Sequence, residues 1–235
     1  MNRFLRLEFS RYKRCVFHFG IAAGISLLAA LYFFGLIGRI DNNPQGGLLR
    51  RYDAVIPLAL TIAFCVIVIY GAVIYARLVV SDYIGNRRVL LYSYPGGRRP
   101  LFLAKNTAYL LAIGSSTVAS LLIGLVIYLI IESIAPVISA KITIGDWLAA
   151  FSMAVCVSLL SMSVILIVGF VGVRRRSTMS TIIASLIMIT LLGNVIAISL
   201  TGLPWLPWVI AAAGIVVSLG LVTVQSRAIC TDEIL

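Results

Sequence analysis

Six apolar runs, each of about 20 residues or more, follow one another along this chain, and no connection between them is long enough to fold as a separate domain. Wound as an α-helix at about 1.5 Å per residue, a run of that length crosses the roughly 30 Å of a bilayer's hydrocarbon. The runs lie near 16–38, 54–80, 106–131, 147–173, 178–201 and 207–225. The expected fold class is therefore all-α, a polytopic membrane protein with six transmembrane helices, and residues 1–235 are expected to form one transmembrane domain. Composition agrees: 61% of residues are hydrophobic and 11% charged, where a soluble domain carries about a quarter charged. The first run, from Val16 to Ile37, exceeds the apolar region of about 7 to 15 residues in a secretory signal, so it reads as an uncleaved first span.

The net charge of +11 does not call for nucleic acid, because basic residues beside apolar runs are what membrane orientation produces. With the N-terminus inside, the cytoplasmic side collects Arg3, Arg6, Arg11, Lys13, Arg14, Arg77, Arg87, Arg88, Arg98, Arg99, Lys105, Arg174, Arg175, Arg176 and Arg227. Arg39, Arg50, Arg51 and Lys141 fall outside, with the acids Asp41, Asp53, Glu132 and Asp146. That split places both termini in the cytoplasm, with the chain as a multi-pass protein of the cell membrane.

Several chemistries are disfavoured. Cys15, Cys65, Cys156 and Cys230 stand far apart and read as small hydrophobes rather than metal ligands or disulfide partners. No G-x-x-x-x-G-K-[ST] segment occurs, so the chain has no P-loop for nucleotide phosphates. An intramembrane protease needs a nucleophile with a base, or paired metal ligands, at membrane depth, and an ion-coupled carrier needs ionisable groups there. His18, in the first turn of the first span, reads as an interfacial residue. Asn194 in the fifth span reads either as hydrogen-bonding glue between helices or as a residue lining a cargo path. The clusters SSTVAS at 115–120 and SLLSMS at 158–163 read as serines and threonines that satisfy helix backbones or pack closely. GIAAG places Gly20 and Gly24 at the G-x-x-x-G spacing that lets helix backbones approach. Trp205 and Trp208 lie in TGLPWLPW, at an interface where tryptophan anchors are ordinary.

Two segments carry more information. In MNRFLRLEFSRYKR, a period of 100° per residue aligns Leu5, Phe9, Tyr12 and Val16 beside Arg3, Arg6, Lys13 and Arg14, the pattern of an interfacial amphipathic helix over 1–14. The second is SDYIGNRRVLLYSYPGGRRPLFLAK, residues 81–105, which is far longer than a reversal between two membrane helices requires. Residues Arg87 to Tyr92 lack Gly and Pro and predict a helix of one to two turns, ended by Pro95 and Gly96-Gly97. Such a helix carries apolar side chains off the membrane, which need something to bury them.

The run from Asp82 through LLYSYPGGRRPLFLAK resembles the loop between the second and third spans of ABC-2 type permeases, the membrane subunits of a class of ATP-binding cassette exporters. Asp82, Leu90, Leu91, Ser93, Pro95, Arg98, Leu103, Ala104 and Lys105 match the family's pattern; Gly96-Gly97 departs from it, where the family more often has a β-branched residue and a serine. The resemblance extends to an N-terminal elbow helix, six spans, cytoplasmic termini and the basic turn RRRSTMST after span four. It implies a cytoplasmic coupling helix that docks on a separate ATP-binding cassette ATPase subunit, with Asp82, Arg87, Arg88, Leu90, Leu91, Tyr92, Tyr94 and Pro95 as docking residues. Arg174, Arg175 and Arg176 would form a second cytoplasmic contact. It also implies a dimer with a second permease copy or homologue, with Gly20 and Gly24 on the dimer face.

The expected function is therefore the permease subunit of an ATP-driven exporter, not itself an enzyme and without a cofactor of its own, since ATP and Mg would bind the partner. Nearly charge-free spans favour an amphipathic or hydrophobic cargo such as an antimicrobial peptide, drug or lipid. The brief turn before the last span argues against a polysaccharide-sized conduit. The alternative is a non-transporting six-span scaffold, or accessory membrane subunit, that docks a cytosolic partner. Membrane lipid is an expected partner in either case, and nucleic acid is not.

Overall fold

The structure is a computed structural model that describes residues 2–40, 51–84, 98–136, 143–197 and 205–229. Among them are six long helices: α1 (Asn2–Ile40), α2 (Tyr52–Leu78), α3 (Arg98–Ile134), α4 (Ile144–Arg174), α5 (Thr178–Ala197) and α6 (Leu206–Ala228). A short 3₁₀ turn, Val80–Tyr83, follows α2. No strand occurs among the described residues, and all six helices are long and apolar enough to cross a membrane. The chain is an all-α, multi-pass membrane protein, as its apolar runs require.

Helices α1 and α3 exceed what crossing demands. With 39 and 37 residues they reach roughly 58 and 55 Å at about 1.5 Å per residue. The residues expected to form an interfacial helix over 1–14 are the opening turns of α1, which runs without a break because no Gly or Pro precedes Gly20, and the stretch apolar enough to cross begins at Cys15. One return span separates α1 from α3, so they run parallel, and their side chains keep a steady register. Tyr12 meets Tyr109 edge to face at 6.2 Å, the Ser116 hydroxyl donates to the Val16 carbonyl at 3.0 Å, and Tyr32 meets Tyr128 edge to face at 5.4 Å.

Each helix end has a local cause. At the start of α4 a reciprocal capping box forms: Asp146 N donates to Thr143 Oγ1 at 3.4 Å, and Thr143 N donates to Asp146 Oδ2 at 2.7 Å. At its end, Ser177 N donates to the Gly172 carbonyl at 3.1 Å and Arg176 N to the Val173 carbonyl at 3.2 Å. This is the Schellman pair of bonds, and it holds Arg176 at φ 49°. Ser177 then caps α5 by accepting from Ser180 N at 3.4 Å, so three residues suffice to reverse the chain.

Helices α2 and α4 form the centre. In the most apolar stretch of α4, 72% of residues are buried, against 17% in α6. The outer helices turn Ile25, Phe33, Leu186, Leu191, Val216 and Leu219 outward, as a bundle whose solvent is lipid does. Hydroxyls within the spans turn back on their own helices: Thr117 to Ile113 O at 2.8 Å, Ser158 to Ala154 O at 2.8 Å and Ser163 to Leu160 O at 2.8 Å. Ser116, which crosses to α1, departs from that pattern.

Candidate functional site

The chain's described polar chemistry gathers where α2 ends and α3 begins, at the end of the bundle that also carries Arg77, Arg99, Arg174, Arg175, Arg176 and Arg227, all exposed. As α2 nears its end, the Tyr75 hydroxyl donates to Asn106 Oδ1 at 2.5 Å, and Asn106 Nδ2 donates to the Phe102 carbonyl at 2.9 Å. One turn deeper, the Tyr109 hydroxyl donates to the Gly71 carbonyl at 2.9 Å. The Tyr75 and Tyr109 rings stand edge to face at 5.0 Å, and Tyr83 meets Phe102 in the same way at 5.7 Å. Between these layers Lys105 Nζ donates to Asp82 Oδ2 in a buried ion pair, with the Lys105 side chain 2% exposed and that of Asp82 11%.

Local sequence explains the arrangement. A helix places i and i+3 or i+4 on one face, so Phe102, Lys105, Asn106 and Tyr109 form a single stripe along the start of α3. Facing it, the 3₁₀ turn after Leu78 tightens the chain and brings Asp82 and Tyr83 level with that stripe. The turn is held by Asp82 N donating to the Val79 carbonyl at 3.2 Å.

Asp82, expected among residues that dock a partner, is buried and engaged by Lys105. Arg87, Arg88, Leu90, Leu91, Tyr92, Tyr94 and Pro95 lie outside the described residues. Arg174, Arg175 and Arg176 are exposed together on the α4–α5 reversal. Placing Arg176 at positive φ costs about 1–2 kcal/mol relative to a glycine there.

Gly20 and Gly24 face α3 of their own chain. A Cβ on Gly20 would meet Ser116 Oγ at 2.8 Å, and one on Gly24 would lie 3.8 Å from the Ser120 carbonyl oxygen. The close approach promised by their spacing thus serves an intramolecular seam. Asn194 is exposed in the last turn of α5, while Gly193, Val195 and Ile196 beside it are buried. His18 is exposed on the first turns of the first span.

At the opposite end lies a second buried polar group that the sequence reading left in a loop. The Tyr52 hydroxyl donates to Glu132 Oε1 at 3.1 Å, and Glu132 is 1% exposed. Tyr128, one turn earlier on α3, is fully buried beside Tyr32. The nearby ion pair of Arg51 with Asp53, at 3.3 Å, is exposed and contributes little. No cluster of three metal-ligating side chains occurs among the described residues.

The expected span of 106–131 stopped one residue short of Lys105 at one end and of Glu132 at the other, so hydropathy alone set aside both. The signal that finds them is the helical period carried past the apolar run. Lys105 falls on the stripe of Phe102 and Tyr109, and Glu132 on that of Tyr128.

In comparisons with known proteins, no family model matches the chain and no solved structure matches it. It is similar to the uncharacterized protein YcbO of Bacillus subtilis (strain 168), 24% identical over 188 residues that cover 78% of this chain and 81% of that protein. The likeness spans most of both chains and brings no activity with it.

Proposed function

We propose that this chain is the membrane-spanning permease subunit of an ATP-driven exporter, working as a dimer with a separate ATP-binding cassette ATPase and moving an amphipathic or hydrophobic cargo out of the cytoplasm. The observation that carries the reading is the run from Asp82 to Lys105, LLYSYPGGRRPLFLAK included, which resembles the ATPase-docking loop of ABC-2 permeases and joins two spans of a six-helix membrane bundle. The basic end of the bundle is then the cytoplasmic end, and both termini lie in the cytoplasm of a cell-membrane protein. Leu90, Leu91 and Tyr92 supply the apolar contact with the ATPase, and Arg174, Arg175 and Arg176 a second, charged one. The chain has no phosphate-binding loop, so ATP and Mg belong to the partner and the chain itself is not an enzyme.

Co-purification of the ATPase with wild type and with the Leu91→Ala/Tyr92→Ala double variant tests this reading. Burying one such side chain contributes about 1.5–3 kcal/mol, so affinity should fall roughly a hundredfold, each 1.4 kcal/mol being tenfold. The membrane bundle should stay folded, because its six spans do not depend on those side chains. Unchanged complex yield and unchanged cargo efflux would remove the coupling role and leave a six-span scaffold.

A further inference from the structure

We propose that Asp82 and Lys105 are positioning residues: a buried clamp that fixes the spacing between the two ends of the segment joining α2 to α3, and passes displacement of that segment into both helices together. The clamp rests on geometry; its role in passing movement rests on the ATPase-docking reading above.

Three observations lead there. First, the pair sits at the roots of the segment. Asp82 lies in the 3₁₀ turn that follows α2, and Lys105 lies in the second turn of α3. Second, the pair is buried, and a buried ion pair is a poor way to gain stability, since well-packed apolar residues of similar volume usually do as well or better. What an ion pair offers instead is a defined geometry that resists separation, because parting two buried charges forfeits their mutual attraction at low dielectric. Third, the packing of the bundle gives such a constraint something to join. Helix α3 packs mainly along α1, whereas α2 packs against α1, α4 and α5. Between α2 and α3 the backbones approach little, and long side chains span the gap: Asp82 to Lys105, Tyr75 to Asn106 and Tyr83 to Phe102 at this end. The clamp adds an ionic link to these bridges, so that a push on the segment moves α2 and α3 together.

The test uses the full chain in lipid nanodiscs, alone and with its ATPase, as Asp82→Asn, Lys105→Met and the reversed pair Asp82→Lys/Lys105→Asp. Hydrogen exchange is read at residues 80–84 and 98–106. In the single variants it should rise about a hundredfold, as expected for breaking a buried ion pair, with α4 and α5 unchanged, and the reversed pair should restore protection. In the complex, the yield of bound ATPase should stay within about twofold of wild type, while cargo efflux per ATP hydrolysed should fall by about tenfold or more, a loss of at least 1.4 kcal/mol of coupling. Exchange that does not respond to the single substitutions would overturn the clamp. A response in exchange with unchanged efflux per ATP would overturn the transmission role, and ATPase binding lost in step with efflux would make the pair a docking element instead. If wild-type chain binds no ATPase while exchange responds as stated, the clamp stands and the exporter reading falls.

Discussion

Helix α2 meets its two neighbours α4 and α3 in opposite ways. Against α4 the contact is made by absence: a Cβ on Gly169 would collide with the Tyr75 ring, one on Gly71 would meet Ile165 Cδ1 at 2.5 Å, and one on Gly172 would meet Val80 Cγ2, in the turn that follows α2, at 3.2 Å. Against α3 the contact is made by reach, through Tyr75 to Asn106, Tyr109 to Gly71 and Tyr52 to Glu132. In lipid no hydrophobic force draws helices together, so association relies on close packing of small residues and on interhelical hydrogen bonds. This bundle uses the first on one side of α2 and the second on the other. A glycine seam tolerates no added volume, whereas a bridged seam tolerates volume and depends on single polar atoms. Tyr75 joins the two: its ring packs over Gly169 of α4, and its hydroxyl reaches Asn106 of α3.

The largest effect should come from the glycine side. Gly169→Ala places a methyl group inside the Tyr75 ring, and overpacking a tight core costs about 1–3 kcal/mol. Because the ring is what it strikes, the same change in a Tyr75→Ala background should cost far less. Thermal unfolding of the purified protein in detergent measures both, and additive costs would show that the two sites do not share the contact.

A smaller loss is expected on the bridged side. Tyr75→Phe keeps the ring over Gly169 and deletes only the hydroxyl, so it should cost about 0.6 kcal/mol and at most about 1.7, the range of hydrogen bonds measured between membrane helices. A loss as large as that of Gly169→Ala would mean that the bridge, rather than the glycine contact, dominates the join. The smallest effect belongs to a residue on neither seam. Asn194→Leu on the exposed face of α5 should change stability by about 0.5 kcal/mol or less and leave efflux intact. A clear loss of efflux would return Asn194 to the cargo path.

Much of the fold was legible because hydropathy in a membrane chain is nearly a length measurement: six runs of the required length became six helices, two of which, α1 and α3, run well beyond their apolar stretch. The candidate site was legible only in part. The pattern from Asp82 to Lys105 drew attention to the connection between α2 and α3, but a sequence does not tell an exposed acid from one that a lysine 23 positions later will bury. Gly20 and Gly24 show the same limit. Their spacing states that some backbone comes close, and Ser116 and Ser120 of α3 are that neighbour.

What the sequence determined by itself is therefore local: apolar length, the capping box of Thr143 and Asp146, and the excess of arginine at one end. The tertiary structure decided which polar groups near the span ends face inward. Lys105, Asn106 and Glu132 sit at the edges of an apolar run, where a charge can turn to water or toward a partner at nearly the same position along the helix. The arrival of Asp82, Tyr75 and Tyr52 from α2 and the turn that follows it supplies partners for them, and burying an ion without a partner would cost several kcal/mol.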